Sequence, residues 1–146
     1  MSKAKKYYLA LVFLLIFHSC VFANQNSKSK IELRKIIAIE SKGDVKAYNH
    51  RSKARGLCQI TPICLKEYNA FHKVKYTAGD LFNKEINIYI ASWYLEIRIP
   101  QMLKYYKKLI STRNILISYN AGISYVVRDK ELKQETKDYI IKYERR

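Results

Sequence analysis

Apolar residues recur along this chain at helical spacing, in stripes divided by residues that start or stop helices, and no long alternating run typical of a strand interrupts them. Ser29-Lys30-Ile31-Glu32 has capping-box spacing, which predicts a first helix running to about Ser41 with Gly43 placed to end it. Its apolar face is Leu33, Ile36 and Ile37, and the next position of that series is Glu40. Residues 44–61 are polar and turn-rich, with room for a short hairpin at most. Thr61-Pro62 predicts a second helix with Cys64, Leu65, Tyr68 and Phe71 inward. A third helix is expected from about Asn83 to Ile99, with Ile86, Tyr89, Ile90, Trp93 and Ile97 inward, and Pro100 is expected to break it. Met102, Leu103, Tyr106, Leu109 and Ile110 form the stripe of a fourth helix. Ser111 or Thr112 caps a fifth that carries Ile115, Leu116 and Tyr119 and stops at Gly122, and a last amphipathic helix covers about 132–143. The expectation is a mainly α, single compact domain of six helices with a polar excursion after the first.

A chain of 146 residues fits one domain, and 49% hydrophobic residues are enough to fill a core. Aromatic residues at 13% argue against disorder despite a formal charge of +16. Residues 1–23 look like an export signal: Lys3, Lys5 and Lys6 precede an apolar run from Tyr7 to Phe17, and Val21-Phe22-Ala23 offers a small-residue cleavage site before Asn24. The run is shorter than the roughly 20 residues of a membrane span, so a retained anchor is a lesser reading, and Phe17-His18-Ser19 is a poor lead-in for a lipid modification at Cys20. The expected organisation is a cleaved leader at 1–23 and one domain at 24–146, exported to the periplasm or beyond the cell. Losing three leader lysines lowers the charge to +13, which implies a polyanionic partner. The basic residues are scattered and the chain is exported, so an anionic wall or membrane face fits better than nucleic acid. No Cys/His cluster has metal-ligand spacing, and no metal or cofactor is expected. Cys58 and Cys64 remain after processing, and a bridge between them and two small buried thiols are both open.

Four short segments carry the candidate chemistry. Glu40 lies on a helix face that should be buried. Desolvation disfavours its charged form, and a pKa near about 6–7 would let it donate a proton at neutral pH. Gly56-Leu57-Cys58-Gln59-Ile60 reads as a tight turn, then a buried segment interrupted by Gln59, whose amide suits sugar hydroxyls or an acetamido group. Ser118-Tyr119-Asn120-Ala121-Gly122 places a ring and an amide one turn from a helix end, and Tyr139, after Glu135-Thr136, is in reach of a carboxyl group.

Taken in order, Glu40-Ser41, Gly56–Ile60, Ser118–Gly122 and Glu135-Thr136 with Tyr139 resemble the soluble lytic transglycosylase domain of the goose-lysozyme-like group, over roughly residues 30–143. Asp80-Leu81-Phe82 and Ala91-Ser92-Trp93-Tyr94-Leu95 resemble that family's central segment. The resemblance implies a lysozyme-like α+β fold whose cleft binds peptidoglycan glycan strands as a monomer, with Glu40 as the single catalytic acid/base. It implies that Ser41, Asn49, Gln59, Tyr119 and Asn120 contact the sugar, and that Tyr139 approaches Glu40. Two positions depart from the pattern: Asn49 stands where many members carry Ser, and Cys58 where Met is usual.

The implied reaction cleaves the β-1,4 bond between N-acetylmuramic acid and N-acetylglucosamine without water and closes a 1,6-anhydro ring. A hydrolytic goose-type lysozyme with Asp44 or another carboxylate activating water is the alternative. A wall-binding accessory protein without turnover and a cationic membrane-disrupting protein are readings of other classes. The resemblance leaves general wall turnover and service to a secretion, conjugation or pilus apparatus equally open.

Overall fold

The computed structural model describes residues 31–146. The expected leader at 1–23, the Cys20 modification and the Ser29 cap lie outside the described residues. Helices carry the architecture: α1 (Leu33–Glu40), α2 (Pro62–His72), α3 (Lys84–Trp93), α4 (Ile99–Tyr105), α5 (Thr112–Ala121), α6 (Ser124–Val127) and α7 (Gln134–Glu144). A 3₁₀ turn, Asp80–Phe82, precedes α3, and a π-helical turn, Tyr94–Arg98, joins α3 to α4. Among the described residues there is no strand. The segment between α1 and α2 folds back on itself through isolated antiparallel bridges, Tyr48 with Arg55 and Arg55 with Ile60.

Several helix limits follow the residues that predict them. Thr61 Oγ1 accepts from the Cys64 N–H at 3.3 Å with Pro62 at the first helical position, and Ser111, rather than Thr112, caps α5 through the Asn114 N–H at 3.2 Å. Gly122 closes α5 at φ +92°. Four expectations are corrected. α1 starts at Leu33, so Glu32 is its N-cap rather than a capping-box partner. Glu32 instead pairs with Lys35 at 3.1 Å, and its N–H donates to the Tyr143 hydroxyl of α7 at 2.8 Å. Pro100 does not break the chain's longest helical stretch. The preceding turn widens to π geometry, which absorbs the missing N–H and the ring, and α4 continues from it. The fourth stripe is only half helical: α4 stops at Tyr105, and Lys107 takes a left-handed backbone (φ +54°). Tyr106, Leu109 and Ile110 are consequently exposed rather than inward. Phe71, Tyr89 and Ile97 are exposed as well, because one side of α2 and α3 has no helix against it. The short α6 had no signal in the apolar pattern.

The core has two parts. One packs Ile36 of α1, Leu95 and Ile99, Leu103, Ile115 and Leu116 of α5, and Tyr139 and Ile140 of α7. The other gathers Leu57, Cys58 and Ile60 of the α1–α2 segment with Cys64, Leu65, Leu81, Ile90 and Ala91. Leu33 and Tyr94 pack against both, so the π turn lies on the seam between them.

One buried amide holds the second part in register. Asn87 of α3 is fully buried, donates to the carbonyls of Arg55 (2.9 Å) and Leu81 (2.8 Å), and accepts from the Cys58 N–H at 2.8 Å. Gly56 makes this approach possible. Its φ is +73°, and a Cβ there would collide with the Leu81 carbonyl and the Asn87 amide. Asn87→Ala leaves three buried backbone groups unpaired and should cost about 3–5 kcal/mol of stability, read by urea unfolding. Gly56→Ala should destabilise comparably, and an undiminished midpoint in both variants would contradict this account.

Candidate active site

α1 ends at the mouth of the seam, and its last residue is Glu40. A cleft of about 210 Å³ opens there, walled on one side by Glu40, Tyr119, Asn120 and Glu135 and on the other by Asn49, Gln59, Ile60 and Cys64, with Tyr94 between. Burial raises the Glu40 pKa from 4.5 to about 7. The buried Tyr139 hydroxyl, which has no partner within hydrogen-bonding distance, faces the carboxyl and pulls the pKa back, while the charge of Glu135 pushes it up. No Lys, Arg or His lines the cleft, so no cation there opposes the upward shift.

Four polar side chains of the cleft, Gln59, Asn49, Asn120 and Tyr119, are half committed to the scaffold. Gln59 sits at φ +51°, uncommon for a non-glycine residue, at the end of the Gly56 turn. Its Nε2 donates to the carbonyls of Gly56 (3.1 Å) and Ala47 (3.3 Å), which leaves Oε1 to face a ligand. Asn49 Oδ1 accepts from the N–H groups of Arg51 and Ser52, both at 3.0 Å, leaving its Nδ2 as a donor. Asn120 Oδ1 accepts from the buried Thr136 hydroxyl at 2.8 Å, again leaving Nδ2. The Tyr119 hydroxyl donates to the Cys58 carbonyl at 2.6 Å, so its ring rather than its hydroxyl is offered to the cleft.

Thus Glu40, Asn49, Gln59, Tyr119 and Asn120 meet at one cleft, with Tyr139 behind Glu40. Ser41 is not part of the wall. Its hydroxyl donates to the Ile37 carbonyl and accepts from the Gly43 N–H, both at 3.2 Å, and closes α1. Asp44 is likewise occupied, taking the Lys46 N–H at 2.8 Å in an exposed turn away from the cleft. Cys58 and Cys64 are buried free thiols, each pushed up to about 12 by desolvation, and Cys64 forms part of the floor.

Glu135, Tyr94, Ser52 and Ala54 also line the cleft, and the sequence assigned none of them a role in the site. Glu135 stands one helical turn before Tyr139 on α7, so the i, i+4 spacing carries both toward α1 and was available as a signal. Tyr94 opens the π turn, and nothing in the apolar pattern announces that widening.

A helical domain whose seam holds a buried acid beside a second carboxylate and hydrogen-bonding amides, without a cation in the cleft wall, has the lysozyme-like architecture that the sequence resemblance implies. The chain matches the Transglycosylase SLT domain over residues 21–142 and belongs to that family. Its fold is similar to that of the 70 kDa soluble lytic transglycosylase SLT70 from Escherichia coli, with 20% identity and a TM-score of 0.54 over 86% of this chain. The match spans 18% of SLT70. No curated protein sequence matches.

The raised pKa makes a stability prediction. Between pH 4.5 and about 7 the folded state holds a proton at Glu40 that the unfolded chain has lost, so stability falls as pH rises through that window. Glu40→Gln removes this penalty. Relative to wild type it should gain up to about 3 kcal/mol at pH 8 and little at pH 4, read by urea unfolding at both values. Parallel pH profiles for the two proteins would count against a buried acid.

Proposed function

We propose that this chain is a peptidoglycan lytic transglycosylase that uses Glu40 first as acid and then as base. The observation that carries the reading is the Glu40 carboxyl, protonated near neutral pH, in a cleft of a chain belonging to the SLT family. The glycan strand would lie along the seam. Glu40 donates to the oxygen between N-acetylmuramic acid and N-acetylglucosamine as positive charge develops on the muramoyl ring. The sugar's own 2-acetamido group stabilises that charge, and the Asn49 and Asn120 amide donors and the Gln59 acceptor are suited to hold it in position. Glu40, now a carboxylate, takes the proton from the muramoyl 6-hydroxyl, which closes onto the anomeric carbon. An intramolecular attack needs no captured water, and positioning accounts for much of its advantage.

Tyr139 and Glu135 set the acid from opposite directions. The hydroxyl stabilises the carboxylate and the second carboxylate destabilises it. Glu135 also supports a second reading, hydrolysis, because a second carboxylate in the same cleft is what a water-activating mechanism requires. Asp44 does not supply that group.

The charge of the exported chain suits encounter with acidic peptide stems and anionic wall polymers. We assign the protein to the periplasm or cell exterior on the leader at 1–23, acting in general wall turnover or for an envelope-spanning apparatus.

Mass spectrometry of muropeptides released from purified sacculi tests the reaction. Wild type should leave anhydro-muramoyl ends, and Glu40→Gln should lower turnover about 10²–10⁴-fold while sacculus binding persists. Reducing ends would favour hydrolysis, and undiminished release by the variant would overturn Glu40's role. The alkaline limb of kcat/KM, set by loss of the Glu40 proton, should move to lower pH in Glu135→Gln and to higher pH in Tyr139→Phe. Shifts in the same direction would contradict the assigned neighbours.

A further inference from the structure

Between α4 and α5 the chain exposes four large apolar side chains within six residues: Tyr105 (79% exposed), Tyr106 (47%), Leu109 (74%) and Ile110 (42%). Lys107 and Lys108 lie between the two pairs and Lys104 just before them. From Ile97 to Arg128 the sequence contains no Asp or Glu. We propose that this loop is a docking surface for an anionic phospholipid bilayer.

The loop is held outward rather than left loose. Lys107 turns at φ +54°, the Lys108 N–H donates to the Leu103 carbonyl at 2.8 Å, and Asn114 Nδ2 donates to the Leu109 carbonyl at 2.8 Å. Lys108 Nζ pairs with Asp129 at 2.7 Å, which fixes the base of the turn to the segment after α6. The Tyr105 and Tyr106 rings meet edge to face at 5.0 Å. These bonds keep apolar side chains in water that a slack loop would fold inward.

The chemistry matches a lipid interface part by part. Leu109 and Ile110 reach the acyl boundary, the tyrosines sit at headgroup depth with their hydroxyls wet, and Lys104 and Lys107 meet lipid phosphates. Charge complementarity favours a lipid face over a second copy of this basic chain. Two aliphatic side chains on a bonded turn make a shallow, reversible attachment. It stands apart from the catalytic cleft and does not depend on the reaction proposed above.

Quenching of a Tyr105→Trp reporter by bilayers with brominated acyl chains tests this on the full chain. The probe reads the loop whatever the state of the N-terminus, and Trp93 in the unmodified protein supplies the background. Phosphatidylglycerol vesicles should quench it, phosphatidylcholine vesicles should not, and raised salt should weaken the effect. Leu109→Ser with Ile110→Ser should weaken binding at least tenfold, about 1.4 kcal/mol, without changing sacculus digestion in solution. Ile63→Ser, 72% exposed on α2, should leave it unchanged. If the double variant folds poorly, Lys104→Gln with Lys107→Gln serves the same purpose. Absence of quenching, equal quenching by both lipids, or quenching that survives the Leu109/Ile110 or the Lys104/Lys107 double substitution overturns the proposal. So does a lipid-free, concentration-dependent association abolished by the same changes, which would make a second copy the occupant.

Discussion

A carboxyl group at the end of α1 has been largely withdrawn from water, and its neighbours set how far its proton is held. Left alone, such a group neutralises itself by keeping its proton, which is what a pKa near 7 records. Its position in the last helical turn acts in the same sense, since the carbonyl end of a helix disfavours negative charge. α7 answers from the other side with Tyr139, whose hydroxyl limits the rise. The two helices are kept at that distance by the contact between the Glu32 N–H and the Tyr143 hydroxyl at the far end of each.

The cleft is built by partial commitment. Gln59, Asn49 and Asn120 each fix one end of an amide to the protein and turn the other outward, and Tyr119 fixes its hydroxyl and exposes its ring. A side chain held this way has little rotamer freedom left to lose when a ligand arrives, so its hydrogen bond costs less to form. The same economy explains Asn87, which spends its whole hydrogen-bonding capacity on backbone and so carries the Gly56 turn, Gln59 and the Cys58 carbonyl to their positions. A single buried amide on α3 thereby shapes a site whose residues come from other elements.

The parts of the fold legible in the sequence are those governed by local rules. Thr61-Pro62, Ser111 and Gly122 mark boundaries through their own backbone chemistry, and Glu40 was conspicuous because a charge interrupted an apolar stripe. What stayed hidden depends on partners distant in sequence. Whether Phe71 or Tyr89 is buried turns on whether another helix covers that side, which periodicity does not encode. Pro100 looked like a break because a single helix cannot tolerate it, yet one widened turn absorbs it. Leu109 and Ile110 extended a helical stripe on paper, but the left-handed turn at Lys107 detached them from it. Glu135 was in plain view beside Thr136 and Tyr139, and only the packing of α7 against α1 gave it a role.

On the function proposed, the distribution of charge separates two tasks, attraction to an anionic polymer and acidity in the cleft, that a basic chain would otherwise confuse. A lysine in the cleft would strengthen substrate binding, but it would also lower the pKa of the acid and remove the proton on which the chemistry depends. Here every cation is kept out of the cleft wall, while the one extra charge admitted, Glu135, is of the sign that preserves the proton. Positive charge on the remaining surface acts at longer range, where it raises the encounter rate without touching the titration of Glu40. The loop between α4 and α5 extends this division, placing its lysines beside exposed apolar side chains where they serve attachment to a surface. Attraction is assigned to the outside of the molecule, where water and salt screen it from the acid, and acidity to the inside, where no cation lines the wall.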